Sequence, residues 1–538
     1  MSLKVSRYIQ SLKGVDGGPF VIRNLFGFVI AASLPMSAAS AQENWWYAES
    51  DHFRVYSAGG QDAAQDMAVK LERVDQAMRL YTGVAAENAP LPDVAKPTIF
   101  QFGETKDIGR LIGQENVAGF FIPRAGNSVA FVPLEQGRET KRYSGPGTRD
   151  TFDFYDYDIA PDKVLFHEYA HYFMFQHSPA AYPAWYIEGL AELFGQLKLE
   201  DDGFALGEVP PHRQGEIAGV NIDLDEIFQR DDRNARSLSY PYYGHGWLLT
   251  SYLSFHPERQ GQLAQFLRSI NAGTPTREAA ETAFGDLGNL ERELRNYRRE
   301  RARVMAAKFP VLAAPAVDLR ALSAAEAAQM DVMIQSQTGV SRSQAKKVVE
   351  DARSLLTKFP DSPSVKRALL EAEFDNMNFQ RADELAVALS DTDFALDAHL
   401  YRARIAMEYA KKDQSWLATA RSHFLAANQI EAKEPNALAG YYLTYRLAGE
   451  TPPEDALIAL EEAYRIAPFD QNIREWLAHL LLLENRQDDA LRVLAPIINR
   501  PHGGKESKKL RELVNGLEAG EKAALIEELA PSLEEEEA

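Results

Sequence analysis

A chain of 538 residues with 45% hydrophobic residues has enough apolar material for more than one core, so several domains are expected. Its 58 basic residues against 78 acidic ones leave a formal net charge of −20, which argues against nucleic acid and anionic membrane surfaces as partners. There is no cysteine, which excludes disulfides and cysteine-linked lipids but leaves the compartment open.

At the N-terminus, Arg23 precedes an apolar stretch from Leu25 to Leu34, and Ala39-Ser40-Ala41 offers small residues for cleavage before Gln42. The stretch is too short for a comfortable membrane span. Residues 1–41 are therefore expected to be an export signal or N-terminal extension, with no stable span in the mature chain. That places the protein in the periplasm or outside the cell, although a cysteine-free composition suits the cytoplasm equally.

Residues 43–135 read as mixed α/β. His52–Ser57 alternates as a strand, and Asp62–Tyr81 is an amphipathic helix that should end near Gly83. Pro97–Phe102 is a second strand and Glu104–Gly113 a short helix. Ala118–Ile122 and Ser128–Pro133 flank Arg124-Ala125-Gly126-Asn127, a credible hairpin turn. Glu139–Asp158 is a long polar loop, of a length that often forms a rim or lid. Asp201–Arg236 is a second polar insertion without a readable motif.

Between these insertions lies His167-Glu168-Tyr169-Ala170-His171. Residues four apart share one helix face, so His167 and His171 can present two imidazoles to one metal ion. Glu168 stands beside them, where it can take a proton from an attacking water. With 11 His in the chain, this HExxH spacing arises by chance in only about 0.02 such chains. Pro161 and Asp162 suit the first helical turn, and the residues between are apolar on most sides, which predicts a buried helix.

Two residues compete to be the third ligand. His177 has the spacing of the HExxHxxGxxH pattern, but that pattern needs a glycine where Met174 stands. On an unbroken helix His177 falls roughly 120° from His171, near the helix end, where a partial positive charge is welcome. Glu188 is the stronger candidate, on a second helix starting after Pro183. Glu192, four residues on, shares its face and could accept a hydrogen bond from a ligating histidine.

HEYAH followed by WYIEGLAELF resembles the gluzincin zinc metallopeptidases, and more closely the peptidase-MA-like bacterial proteins of unknown function. The resemblance implies an α+β catalytic domain over residues 42–309, with a small mixed sheet over a zinc-binding helix and a helical C-terminal part. It implies zinc held by His167, His171 and Glu188, Glu168 as general base, and Glu192 as support behind the ligands. Gluzincins draw an oxyanion donor from a later helix, here the segment Ser239–Trp247, with Tyr243 and His245 as candidates. They also bind extended substrate along a sheet edge, for which Ser128–Val132 is the candidate. The spacing between His171 and Glu188 is slightly shorter than in the best-known gluzincins.

Helical patterns run from Tyr242 to about Lys308, and residues 310–325, rich in Ala and Pro, read as a linker. From 326 to 530 the sequence recurs. Ala456, Leu460, Ala463 and Pro468 repeat the offsets of Val348, Ala352, Leu355 and Pro360, while Ala490 and Ala382 follow by 34 residues. This resembles tetratricopeptide repeats, about five degenerate units stacked as a solenoid whose concave face binds a peptide or partner protein. Residues 531–538 form an acidic tail. The function expected is zinc-dependent peptide-bond hydrolysis on an exported protein or peptide; the alternative is a non-catalytic repeat scaffold carrying a degenerate peptidase-like domain.

Overall fold

Short runs of β-branched and aromatic residues build a mixed six-stranded sheet in the computed structural model, which describes residues 44–84, 92–113, 117, 119–135, 160–219, 222–229, 242–299, 303–309, 315–499, 504–519 and 522–533. Five strands come from the first part of the chain: β1 (Trp46–Glu49), β2 (Arg54–Ser57), β3 (Thr98–Gln101), β4 (Phe120–Ile122) and β5 (Val129–Val132). Strands β6 (Lys198–Glu200), β7 (Gly203–Leu206) and β8 (Met305–Lys308) form a separate small sheet. A late strand, β9 (Asp318–Ala321), returns to the first sheet and completes the order β4-β5-β3-β2-β1-β9. Strands β2, β3 and β5 are parallel, with Val55 opposite Ile99 and Ile99 opposite Ala130. Strands β4 and β5 are the expected hairpin, with Phe121 opposite Ala130. At its turn Gly126 takes φ 84°, where a Cβ would be strained.

Both faces of this sheet are covered, which is why β3 and β5 are buried at every position. On one face lie α1 (Gly60–Thr82) and α3 (Pro161–His177), which share a core with Val55, Ile99, Ala130 and Val132. Helix α1 ends at Gly83 in the left-handed conformation, at the stop expected from its sequence. On the other face, α2 (Thr105–Leu111) and the much later helix Met330–Gln337 pack against Trp45, Phe100 and Phe131.

Beside α3 runs α4 (Ala184–Gly195), followed by the short helices α5 (Gln214–Gly219) and α6 (Leu224–Gln229). Then come α7 (Tyr242–Phe255), α8 (Gln262–Asn271), α9 (Thr276–Phe284) and α10 (Leu287–Tyr297). Helices α4 and α7 meet backbone to backbone. A Cβ on Gly189 would lie 2.3 Å from the Gly246 carbonyl oxygen, and one on Gly246 would lie 2.3 Å from that of Trp185.

Beyond α11 (Ala324–Ala328) and α12 (Met330–Gln337), the chain is a run of helices: α13 (Arg342–Lys358), α14 (Pro363–Asp375), α15 (Phe379–Leu389), α16 (Ala395–Ala410), α17 (Trp416–Ile430), α18 (Pro435–Leu447), α19 (Glu454–Ile466), α20 (Gln471–Leu483), α21 (Gln487–Ile498), α22 (Gly504–Asn515) and α23 (Lys522–Leu529). Each packs on the next. The small residues at the recurring positions, Ala382, Ala420, Ala456, Ala463 and Ala490, are fully buried, as close helix approach requires. Among the described residues, no helix is long and apolar enough to cross a membrane.

Several expectations need correction. Strand β5 is paired on both sides, so Ser128–Val132 is no free edge; the edge next to α3 is β4. Residues 318–321 are a sheet strand rather than linker, and 305–308 are strand rather than helix. Residues 330–337 pack on the sheet through Met330 and Ile334 and on the first helices of the array through Val332. In each case a short element takes its state from a distant partner, which local patterning does not encode. The expected export segment, the loop at 139–158 and residues 534–537 of the acidic tail lie outside the described residues.

The glycine contact between α4 and α7 gives a first prediction. Gly189→Ala should force the helices apart and cost about 1–3 kcal/mol in urea unfolding. Gly215→Ala, whose Cβ would meet nothing within 4 Å, should be neutral or slightly stabilising.

Candidate metal centre

Helix α3 starts with proline at its first position and an acidic residue in its first turn, and runs without a break to Ser178. That continuity puts His167 and His171 one turn apart on the same face. Their Nε2 atoms stand 3.2 Å apart. From α4, Oε2 of Glu188 lies 3.5 Å from Nε2 of His167 and 3.7 Å from Nε2 of His171. Ligand atoms held tetrahedrally at about 2.0–2.1 Å from an ion stand about 3.3 Å apart, so the three are spaced to surround one. Together they form a group able to hold a metal ion.

The cluster also has an unmet demand. Glu188 is 5% exposed, and its Oε2 has no hydrogen-bond partner, nor has Nδ1 of His171. A buried carboxylate oxygen without a donor is costly, and a cation among the three atoms removes that cost. Two imidazole nitrogens and one carboxylate oxygen suit a first-row divalent ion better than calcium or magnesium, which prefer all-oxygen shells.

Glu168 follows His167 in the same helix turn. Burial pushes its carboxyl up to about 7, and the Glu188 charge adds to the rise; His167 and a hydrogen bond from the backbone N–H of Phe121 oppose it. Strand β4 therefore stands directly beside the candidate base. Burial holds His171 down at about 4, the neutral form a metal ligand needs. For His167, burial works downward but the neighbouring carboxylates Glu188, Glu192 and Glu168 outweigh it and raise the value.

His177 does not join the group. It was expected near the helix end as a partly charged group, but it is half-buried, with its Nε2 3.4 Å from Nη2 of Arg79. Burial and that guanidinium hold it down at about 4, hence neutral. Arg79 is in turn held by Asp75 at 2.6 Å.

Glu192 is placed behind the cluster but not bonded as expected. Its Oε1 is 4.0 Å from Nδ1 of His167, too far for a hydrogen bond. Instead it accepts from Nε of Arg213 at 2.8 Å and from Nε2 of His212 at 3.1 Å. Both donors lie in a single 3-10 turn, Pro211–Arg213, that begins with a proline and follows another, Pro210. Arg213 then lies over the Tyr243 ring, 4.3 Å from its centre, and pairs with Glu216, which accepts the backbone N–H of Gly244. The sequence signal for this turn was Pro210-Pro211-His212-Arg213 inside the insertion that carried no recognised motif.

Tyr243 stacks on His167, with ring centroids 6.4 Å apart. Burial and the carboxylates Glu188, Glu168 and Glu192 raise its phenol well above the ordinary value, despite the Arg213 charge, so it stays a proton donor. His245 is 1% exposed. Two residues apart on a helix point about 200° apart, so Tyr243 and His245 cannot both face the cluster. The contact with His167 selects Tyr243.

Two tests follow from this geometry. Glu188→Ala should lose bound metal while His177→Ala retains it, measured as metal-to-protein ratio after dialysis. Burial alone would raise Glu192, but the His212 hydrogen bond and the Arg213 charge bring it down to about 2 from the ordinary 4.5. A group depressed on folding adds stability above its unfolded pKa and loses it as pH falls toward the folded one. In chelator, Glu192→Gln should therefore be less stable than the parent by roughly 2–4 kcal/mol at pH 7, and the gap should close below about pH 4.5. Comparison with protein-family models, with curated proteins and with solved structures returned no match.

Proposed function

We propose that this chain is a zinc-dependent metallopeptidase of the gluzincin type, acting on an exported protein or peptide. The observation that carries this reading is the convergence of His167, His171 and Glu188 at 3.2–3.7 Å around an unpartnered carboxylate oxygen, with Glu168 beside them. His167, His171 and Glu188 would hold the ion, three protein ligands that leave a position open. When bound there, zinc polarises the scissile carbonyl and makes water acidic enough to attack at neutral pH.

The rest of the work falls to the chain's own side chains. Glu168, pushed up to about 7, is poised to take a proton from the attacking water and return it to the leaving amine. Tyr243, kept protonated by its carboxylate neighbours and held under Arg213, donates toward the oxygen that gains charge. The free edge of β4 offers backbone groups to an extended peptide, which suits a substrate bound largely without regard to sequence. We read the helical run after α13 as tetratricopeptide-like, and residues 1–41 as the export signal that would deliver the chain to the periplasm or beyond.

Substituting the base tests the proposal. Glu168→Gln should keep its full metal content and lose about 10²–10⁴-fold in kcat on peptides. Tyr243→Phe should lose about 10–10³-fold in kcat with little change in KM. Unchanged turnover in Glu168→Gln overturns the assignment of the base.

A further inference from the structure

The face of the helical array expected to capture a partner already has an occupant from the same chain. Residues of α14, α16, α18 and α20 line a cleft of about 1250 Å³, and its opposite wall is β4 with the turn Arg124–Asn127. The turn is gripped at two places, by Gln337 just before α13 and by Asn436 at the middle of the array. Arg124 donates from Nη1 to Oε1 of Gln337 at 3.0 Å and from Nη2 to the Gln337 carbonyl at 2.5 Å, and Asn127 donates to the same Oε1 at 3.2 Å. Gln337 is anchored to the array through its donation to Glu371 at 2.7 Å. About a hundred residues later, Asn436 at the start of α18 donates to the Ala125 carbonyl at 2.7 Å.

The fit is steric as well as polar. Ala125 belongs to the same apolar cluster as Leu438, Ala439 and Tyr442 of α18. A Cβ on Gly126 would come within 2.6 Å of Nδ2 of Asn436 and 2.7 Å of Oε1 of Glu434, so only glycine fits there. The array also reaches the metal helix: Gln176 donates to the Ile466 carbonyl at 3.1 Å, and Phe469 packs edge-on against Tyr172 at 6.0 Å. Tyr172 in turn packs on Phe121, at 5.1 Å between ring centroids.

We propose that the inner face of the array binds the chain's own β4–β5 turn, so that the array is a clamp in cis that sets the position of edge strand β4 against Glu168. Strand β4 has three residues and, among the described residues, pairs on one side only. Such an element has little stability of its own and takes its position from what holds its ends. One end is the turn held by the array; the middle carries Phe121, whose ring packs on Tyr172 of α3, the helix that carries Glu168. Arg124, Asn127, Gln337 and Asn436 are thus positioning residues, and the partner this surface fits is a tight turn with glycine at its third position.

The experiment is hydrogen–deuterium exchange on the full-length chain, comparing the parent with Asn436→Ala and Arg124→Ala. Asn436→Ala removes the hydrogen bond to Ala125 and one to Glu434 from the array side and leaves the Arg124 guanidinium with its partners, so it keeps the test open if Arg124→Ala fails to fold. Amides of 119–122 should exchange about tenfold faster in the variants, with α3 and β2–β3 unchanged and metal content retained. Equal exchange at 119–122, or acceleration spread evenly over the whole sheet, would overturn the proposal. A second readout rests on the peptidase reading: on a peptide long enough to lie along β4, KM should rise about tenfold, more than kcat falls. If no variant or parent cleaves any peptide, the peptidase reading fails while the exchange result still decides the clamp.

Discussion

Three ligand-type atoms crowded into a buried space around one unpartnered carboxylate oxygen form the constraint on which the structure turns. Glu188 and the pair His167 and His171 sit on different helices, so their spacing of 3.5–3.7 Å is a statement about how α3 and α4 are held. Helix α3 is held by the sheet, through Phe166, Tyr169 and Phe173 against the apolar face of β2, β3 and β5. Helix α4 is held by α7 through the Gly189–Gly246 contact, where no side chain larger than hydrogen fits. The glycine after Glu188 is therefore part of the site, because it lets the helix carrying Tyr243 approach the helix carrying the carboxylate.

Behind the ligands runs a chain of charged contacts. Glu192 holds Arg213, Arg213 covers Tyr243, and Glu216 links Arg213 to the backbone at the start of α7. The arrangement keeps a buried carboxylate and a buried guanidinium mutually satisfied, which is the condition under which such groups are tolerated. It also leaves Tyr243 flat against His167. The cleft between the array and β4 does not open on the imidazoles. It meets the centre through Phe121, which lines it and packs on Tyr172 of α3. The edge strand is thus the element that joins the cleft to the cluster.

Much of the centre was legible in the sequence, because helix periodicity is a local property. The His167–His171 spacing, the start of α3 at Pro161, the stop of α1 at Gly83 and the start of α4 after Pro183 all follow from rules within a few residues. What was not legible depends on pairing at a distance. Nothing in Val129–Val132 says that β3 rather than solvent lies beside it, and Asp318–Ala321 is a strand only because β1 offers it a partner. Arg213 escaped notice because its meaning comes from Glu192, 21 residues away, on an element with a different local structure. His177 was misplaced for the same reason: its neighbour Arg79 comes from α1.

X-ray absorption at the zinc edge of the zinc-loaded, full-length chain tests the central claim most directly. The account predicts one ion per chain, bound by about four nitrogen and oxygen ligands near 2.0 Å, with scattering from two imidazole rings. Substoichiometric zinc, or a six-oxygen shell without imidazole, would contradict it.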